Sequence, residues 1–251
     1  MAHTLRKNRG RRVIRGTVIV LALFLAMGFF VSVSEVVFFK YINPPFTFSM
    51  LRGWVHKKTG TRYYRVPSYQ WCDLEKISPH LRQAVLAGED QRFLGHRGFD
   101  LIEFREAIKN LIETKRVRGA STISMQAARS LFLWSDRTLI RKILEAYYTI
   151  LIEMFWGKER ILEVYLNTVD WGRGVIGAEA AAKKYFGARA MFLSAEESAS
   201  LAAILPSPYR WSPVDLNNWA FSRKEKILFD MKRMPLLGAV AELSYGVNKD
   251  E

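Results

Sequence analysis

The chain has 251 residues, 49% of them hydrophobic and 25% charged, a globular composition that excludes wholesale disorder. Its 38 lysines and arginines against 24 acids give a net charge of +14, which points to an anionic partner: nucleic acid, a membrane surface or a phosphate-bearing substrate. Cys72 is the only cysteine, which excludes an intramolecular disulfide and a multi-cysteine metal site, and the four histidines lack metal-ligand spacing.

Residues 1–15 carry Arg6, Lys7, Arg9, Arg11, Arg12 and Arg15 and no acid. Gly16 to Ser34 follows as 19 uncharged residues rich in Val, Leu, Phe and Ala. As a helix this stretch is about 28 Å long, close to a hydrocarbon core of about 30 Å. The pattern predicts a basic cytoplasmic tail (1–15), a single membrane anchor (16–34) and an exported remainder. A cleaved signal peptide is the competing reading, since Ser32-Val33-Ser34 is a loose small-x-small site, but the apolar run is long for a signal core. Removing the six tail cations leaves 32 basic against 24 acidic residues. An exported domain rarely meets nucleic acid, so a phospholipid surface or a phosphate-bearing lipid fits the remaining excess better.

Residues 35–75 read as a connecting stalk punctuated by Pro44-Pro45, Gly53, Gly60 and Pro67, with a short β-prone piece at Thr61–Val66. From residue 76 onward helix signals dominate, and one mainly α domain (76–251) is the simplest organisation. Ser78-Pro79 opens a helix to about Gly88. Asp100-x-x-Glu103 is the pattern of a capping box for a helix to about Lys115, with Leu101, Phe104, Ile108, Leu111 and Ile112 on one face. Ser121 is placed to cap a helix through Leu133. Ser135 or Asp136 starts the longest helix, which ends before Gly157, with Ile140, Ile143, Leu144, Tyr147, Ile150, Leu151 and Met154 at the 3.6-residue period. Lys158–Leu166, a helix capped by Ser194-x-x-Glu197, and Leu216–Arg233 complete the reading.

Three clusters break this pattern with polar density. Glu89-Asp90 ends a helix and leads into a glycine-flanked loop through His96 and Gly98. Adjacent carboxylates repel, and a helix C-terminus disfavours negative charge, so both effects raise the Glu89 pKa toward that of a general acid or base. A solvated loop in which Arg92 and Arg97 balance the acids explains the same residues. Gly119-Ala120-Ser121-Thr122 forms a helix start able to hold an anionic oxygen, or plain capping. In the longest helix Arg141, Lys142 and Glu145 share a face, as an ordinary surface salt bridge or as a charge-stabilising group for glycosyl chemistry.

Taken together these segments resemble the family 51 glycosyltransferases, the peptidoglycan polymerases also found as one domain of bifunctional penicillin-binding proteins. Glu89, Asp90, Phe93, His96 and Gly98 match E-D-x-x-F-x-x-H-x-G. Gly119, Ser121, Thr122, Ile123, Ser124 and Gln126 match G-x-S-T-[IL]-[ST]-Q-Q. Arg141, Lys142 and Glu145 match R-K-x-x-E, and Lys158 to Asn167 resembles K-x-x-I-L-E-x-Y-L-N. No serine has a lysine three residues later, so the transpeptidase S-x-x-K is absent and the chain is similar to monofunctional members. It departs from the family at Met125, where a glutamine is usual, at Ser130, where an asparagine is common, and at Leu205, where many relatives carry a lysine.

The resemblance implies a lysozyme-like helical glycosyltransferase domain with one N-terminal transmembrane helix, single-pass in the inner membrane with its catalytic domain in the periplasm. It implies lipid II and the growing glycan strand as partners, with the membrane and cell-wall synthesis or division proteins beside them, and no nucleic acid. Glu89 is the implied general base and Glu145 the second catalytic carboxylate. Asp90, Phe93, His96, Ser121, Thr122, Gln126, Arg129, Arg141 and Lys142 are the implied substrate-binding residues. A divalent cation (Mg or Mn), with Glu145 as its ligand, is compatible with this reading, and no organic cofactor is needed. A lysozyme-like enzyme that cleaves peptidoglycan, and an inactive membrane-anchored scaffold, are the competing functions.

Overall fold

The computed structural model describes residues 2–48, 50, 67–114, 119–134, 136 and 138–239, with side chains described from residue 15 onward except Thr114. It divides into two compact units, 1–43 and 44–251. The first is one helix, α1 (Ala2–Tyr41). Its segment Arg15–Tyr41 is 27 residues long with a mean hydropathy of 2.5, long and apolar enough to cross a membrane. The helix runs beyond the expected end at Ser34, because Glu35 to Tyr41 contains neither proline nor glycine to stop it.

The second unit is built from eight α-helices and a small sheet among the described residues. Ser78 caps α2 (Pro79–Glu89), its hydroxyl accepting from the His80 amide at 3.3 Å. Asp100 opens α3 (Leu101–Thr114), its Oδ1 accepting from the Ile102 and Glu103 amides at 3.0 Å each. α4 (Ile123–Phe132) is capped by Thr122 rather than by Ser121, and α5 (Leu139–Phe155) by Thr138 rather than by Ser135 or Asp136. In both cases a hydroxyl nearer the apolar run reaches the third amide of the helix, and the nearest good acceptor wins. α6 (Lys158–Thr168), α7 (Ala178–Phe186), α8 (Ala195–Ile204) and α9 (Asn218–Asp230) follow. The Ser194–Glu197 capping box before α8 is present in both directions, with distances of 2.9 and 3.2 Å.

α2 packs against α8 and α9, and α4 packs against α5 and α6. The core between them holds Ile77, Leu81, Val85, Phe93, Ile123, Leu162, Tyr165 and Trp171, all essentially removed from water. Three short strands, β1 (Ser68–Tyr69), β2 (Asp170–Gly172) and β3 (Val175–Ile176), form a sheet in the order β1-β3-β2. β1 runs parallel to β3, and β2 runs antiparallel to it.

The expected stalk 35–75 is therefore not one connecting segment. Residues 35–41 continue α1, and the β-prone piece 61–66 lies outside the described residues. The stretch from Ser68 to Lys76 is part of the folded unit. The buried Asn167 side chain accepts from the Cys72 amide and donates to the Cys72 carbonyl, each at 2.8 Å, and Glu163 accepts from the Leu74 amide at 3.1 Å. The I-L-E-x-Y-L-N run thus divides its labour: Ile161, Leu162 and Tyr165 fill the core while Glu163 and Asn167 pin the segment from Cys72 to Leu74 that follows β1.

α7 and β2–β3 carry no element in the sequence reading. The α7 segment Ala178–Phe186 is alanine-rich, and Gly187 ends it in the left-handed conformation (φ 66°). At Gly177 (φ 87°) an added Cβ would lie 2.9 Å from the Asn167 carbonyl oxygen, so the strand-to-helix turn needs glycine.

Candidate active site

Glu89 is the last residue of α2, and the tertiary fold leaves its side chain only 12% exposed rather than on a solvated loop. Its Oε2 accepts from Gln126 Nε2 of α4 at 2.9 Å, and its Oε1 accepts from Arg223 Nη2 of α9 at 2.7 Å. The Tyr165 hydroxyl of α6 donates to Gln126 Oε1 at 3.4 Å, which turns the amide so that its NH₂ faces the carboxylate. Burial pushes the Glu89 pKa above the ordinary glutamate value, and the Arg223 and Arg129 charges and the Gln126 hydrogen bond pull against it without cancelling it. Burial likewise raises the Tyr165 pKa well above its usual value, so the phenol stays a donor. From the sequence alone, a neighbouring charge and a helix end predict a raised Glu89 pKa. The structure assigns it chiefly to desolvation.

The neighbouring motif residues are engaged inside the protein. Asp90 Oδ2 accepts from the Ile123 amide at the start of α4 at 3.0 Å, and His96 Nε2 lies 2.9 Å from Asp90 Oδ1. Thr122 donates to the Gly98 carbonyl at 2.6 Å and accepts from the Met125 amide at 3.2 Å. Phe93 is buried, with Lys158 Nζ 4.4 Å above its ring. These contacts engage Asp90, Phe93, His96 and Thr122 within the protein. The N-terminus of α4 directs its Ile123 amide at the protein's own Asp90 carboxylate and its Met125 amide at the Thr122 hydroxyl. The four residues fix the loop that follows Glu89. Ser121 is half-buried, Gln126 touches Glu89, and Arg129 acts electrostatically on Glu89, Tyr165 and Asp170. Ser130, at the usual asparagine position, bonds Thr168 Oγ1 at 2.8 Å and ties α4 to α6.

A second charged centre sits on α5. Glu145 is fully buried, with Arg141 Nη1 and Lys142 Nζ each 2.5 Å from one of its oxygens. Arg141 is buried with it, while the Lys142 side chain remains 46% exposed. This overturns the surface salt bridge of the sequence reading. It also inverts the helix: Arg141, Glu145 and Thr149 face inward, whereas Ile140, Ile143, Ile150 and Met154 of the apolar stripe face outward. Among the described residues no hydrogen bond or ion pair joins Glu145 to Glu89, so the two carboxylates belong to separate clusters.

Both Glu145 oxygens are held by cations. Asp90, His96 and Asp100 bring one ligand atom each within 4.8 Å of one another, close enough by distance to hold a metal ion. Their donor atoms are committed, however: Asp90 to His96 and an amide, and Asp100 to Arg92 at 2.8 and 3.2 Å and to two amides. Burial pushes the Asp100 carboxyl up, but Arg92 and these amides outweigh it and hold it below the usual range. The arrangement is that of an internal hydrogen-bonded brace.

Arg223 is the site residue that sequence reasoning missed. The one available signal was its place seven residues after Leu216 in the last amphipathic helix, which does not distinguish it from Lys224 or Lys226.

A helical domain with a buried, cation-supported glutamate and a second arginine–lysine centre has the layout of a glycosyl-transfer enzyme. Comparison with known proteins narrows the class. The transglycosylase family pattern matches residues 56–232, and the chain belongs to that family, whose domain is a lysozyme-like helical fold. It is 42% identical over 217 residues to a biosynthetic peptidoglycan transglycosylase of Caulobacter vibrioides, covering 86% of this chain and 90% of the relative. Proteins of the same description from Shewanella oneidensis (44% over 210 residues, 82% of this chain and 87% of the relative) and Pseudomonas entomophila (43% over 206 residues, 81% and 86%) are similar.

Proposed function

We propose that this transglycosylase polymerises lipid II into linear peptidoglycan strands at the outer face of the cytoplasmic membrane. Glu89 is the general base: it takes the proton of the acceptor sugar's 4-hydroxyl as that oxygen bonds to the anomeric carbon of the lipid-linked donor. The bond from that carbon to the pyrophosphate breaks, the configuration inverts from α to β, and undecaprenyl pyrophosphate leaves with its negative charge. Arg129 and the half-exposed Lys142 bind that charge in this reading, and the buried Arg141–Glu145 pair beside Lys142 supports its orientation. The observation that carries this reading is Glu89 itself, buried yet hydrogen-bonded, with a pKa raised toward the range of an effective base.

The outward apolar faces of α3 and α5 support a membrane location for the domain as well as for α1. Ile112 is 75% exposed, and Leu101, Phe104, Ile140, Ile143 and Met154 are exposed with it. With the basic tail cytoplasmic, the folded unit lies across the membrane from it, where α3 and α5 can rest among lipid chains beside the substrate's own lipid. Residues 76–251 remain our assignment of the catalytic domain, extended to Ser68 by the sheet.

Incubation of the purified chain with labelled lipid II, followed by separation of products, tests the reaction. Polymer is expected from the parent, with at least a ~100-fold loss in Glu89→Gln. Unchanged polymerisation by Glu89→Gln would remove the base assignment. Fragments released from finished peptidoglycan, without polymer from lipid II, would replace the synthetic reading by a hydrolytic one.

A further inference from the structure

We propose that Arg223 is the positioning residue of the catalytic base: bonded to both the Glu89 carboxylate and the Gly88 carbonyl, it fixes the carboxylate's direction and supplies its counter-charge. The proposal rests on the reading of Glu89 as the base.

Four features of the geometry lead there. First, one nitrogen, Arg223 Nη2, lies 2.7 Å from Glu89 Oε1 and 2.7 Å from the Gly88 carbonyl oxygen. The carbonyl belongs to the last turn of α2, where intrahelical donors run out, so the arginine clamps side chain and backbone of the same helix end. Second, the guanidinium lies 5.8 Å from the centre of the Trp219 ring, whose own neighbour Trp211 is 4.6 Å away, so an aromatic ledge holds the cation. Third, α9 approaches α2 at a glycine. A Cβ on Gly88 would lie 3.1 Å from Ile227 Cδ1 and 3.4 Å from Arg223 Nη2, and its absence lets the arginine reach Glu89. Fourth, Gln126 takes the opposite oxygen, so the carboxylate is gripped at both ends while each oxygen keeps a lone pair for an incoming hydroxyl.

An ordinary ion pair at a helix crossing would serve stability alone. This one holds a carboxylate that must be both ionised and oriented to act, in surroundings that oppose its ionisation. The charged groups that act on Glu89 are Arg223 from α9 and Arg129 from α4, and Glu89 and the adjoining Asp90 in turn act on Tyr165 from α6. Arg223 is the cation in direct contact. Its removal leaves a buried carboxylate with a neutral amide donor and the more distant Arg129, so the proton is held more tightly and the base is active only at higher pH.

The test compares full-length parent, Arg223→Gln, Arg223→Lys and Glu89→Gln in detergent, following lipid II polymerisation across pH together with thermal melting. Arg223→Gln is expected to lower kcat roughly 10- to 100-fold at neutral pH with KM changed less than about threefold. Its acid limb is expected to move at least about one unit upward, so that activity recovers at alkaline pH. Arg223→Lys, which keeps the charge, is expected to hold the limb within about half a unit of the parent. A loss equal at every pH, an unchanged kcat, or a lysine variant whose limb moves with that of the glutamine variant would overturn the proposal. If Arg223→Gln melts below the assay temperature, the lysine variant decides: a reduced kcat with the parent's limb supports the role, and a change confined to KM rejects it. Activity retained by Glu89→Gln would instead overturn the base assignment on which the proposal rests, whereas an inactive Glu89→Gln beside a parent-like Arg223→Gln would overturn this proposal alone.

Discussion

Arg141 Nη1 lies 2.5 Å from Glu145 Oε2 on the inward face of α5, one turn apart and both buried, while Lys142 reaches the other oxygen from the half-exposed side. Each cation therefore has a different weight. The buried pair is costly to break, because the survivor would be an uncompensated charge out of water. The exposed pair is screened and contributes little to stability.

Glu145→Gln is thus expected to destabilise the folded unit by about 3 kcal/mol, since Arg141 keeps its burial and loses its counter-charge. Lys142→Met is expected to change stability by less than ~1 kcal/mol but to lower polymerisation about tenfold or more, because its amine is the charge left facing outward. Denaturant melts paired with the lipid II assay separate the two. An equally destabilised Lys142→Met would show that its role is in the fold.

Glu89 carries the reverse linkage. Its folded pKa lies above its unfolded value, so the folded state binds the proton more tightly. The stabilisation is complete below the unfolded pKa and is lost as pH rises through the folded one. Glu89→Gln, which mimics the protonated side chain, is expected to melt higher than the parent near about pH 8, with the difference shrinking toward about pH 5. Parallel melting curves across that range would contradict a raised pKa.

The outward apolar face of α3 can be reported by a dye, because Cys72 is silent. Its thiol is buried and pushed up to about 11, chiefly by that burial, so it stays protonated and unreactive at neutral pH. A cysteine at Ile112 is then the one reactive site among the described residues. An environment-sensitive label there is expected to shift to shorter wavelength when the full chain is reconstituted in anionic vesicles, and the same label at Glu106 is expected to shift less. Equal spectra at both positions would place α3 in water.

Gly98 holds φ 87°, and an added Cβ would lie 2.7 Å from Thr149 Cγ2 of α5. Gly98→Ala is expected to cost roughly 1–3 kcal/mol from backbone strain alone. It should also lower activity, because the Gly98 carbonyl accepts from Thr122, the residue that caps α4 and so places Gln126 against Glu89. Melting midpoint and polymer yield check the two effects separately. Wild-type values for both would show that the loop absorbs the methyl group.

Helix existence was legible wherever a local signal sufficed. Ser78-Pro79 and the Ser194–Glu197 box are complete within four residues, and both appear as read. The caps of α4 and α5 moved by one to three residues because several hydroxyls compete and only packing selects among them. α7 went unread because its first half, Ala178 to Ala182, is buried all round, and small alanines at successive positions leave no apolar stripe to read.

Within the site, the motif residues were identifiable as a set from their order and spacing, but their division into roles was not. Asp90, Thr122 and Glu89 are equally polar in one dimension. In the fold, the first two spend their hydrogen bonds on the Ile123 and Met125 amides, while Glu89 is turned toward α4 and α9.

The opening charge excess is divided by the sequence alone: six cations without an acid precede an uncharged run long and apolar enough to cross a membrane, since burying charge in hydrocarbon costs far more than leaving it in water. The chain order of its motifs likewise specifies the family. Tertiary structure decided which carboxylate is desolvated, which cation stays exposed, and that Arg223 of α9 completes the pair with Glu89. Desolvation and ion pairing depend on distances in space between residues far apart in the chain, and those distances exist only after the helices have packed.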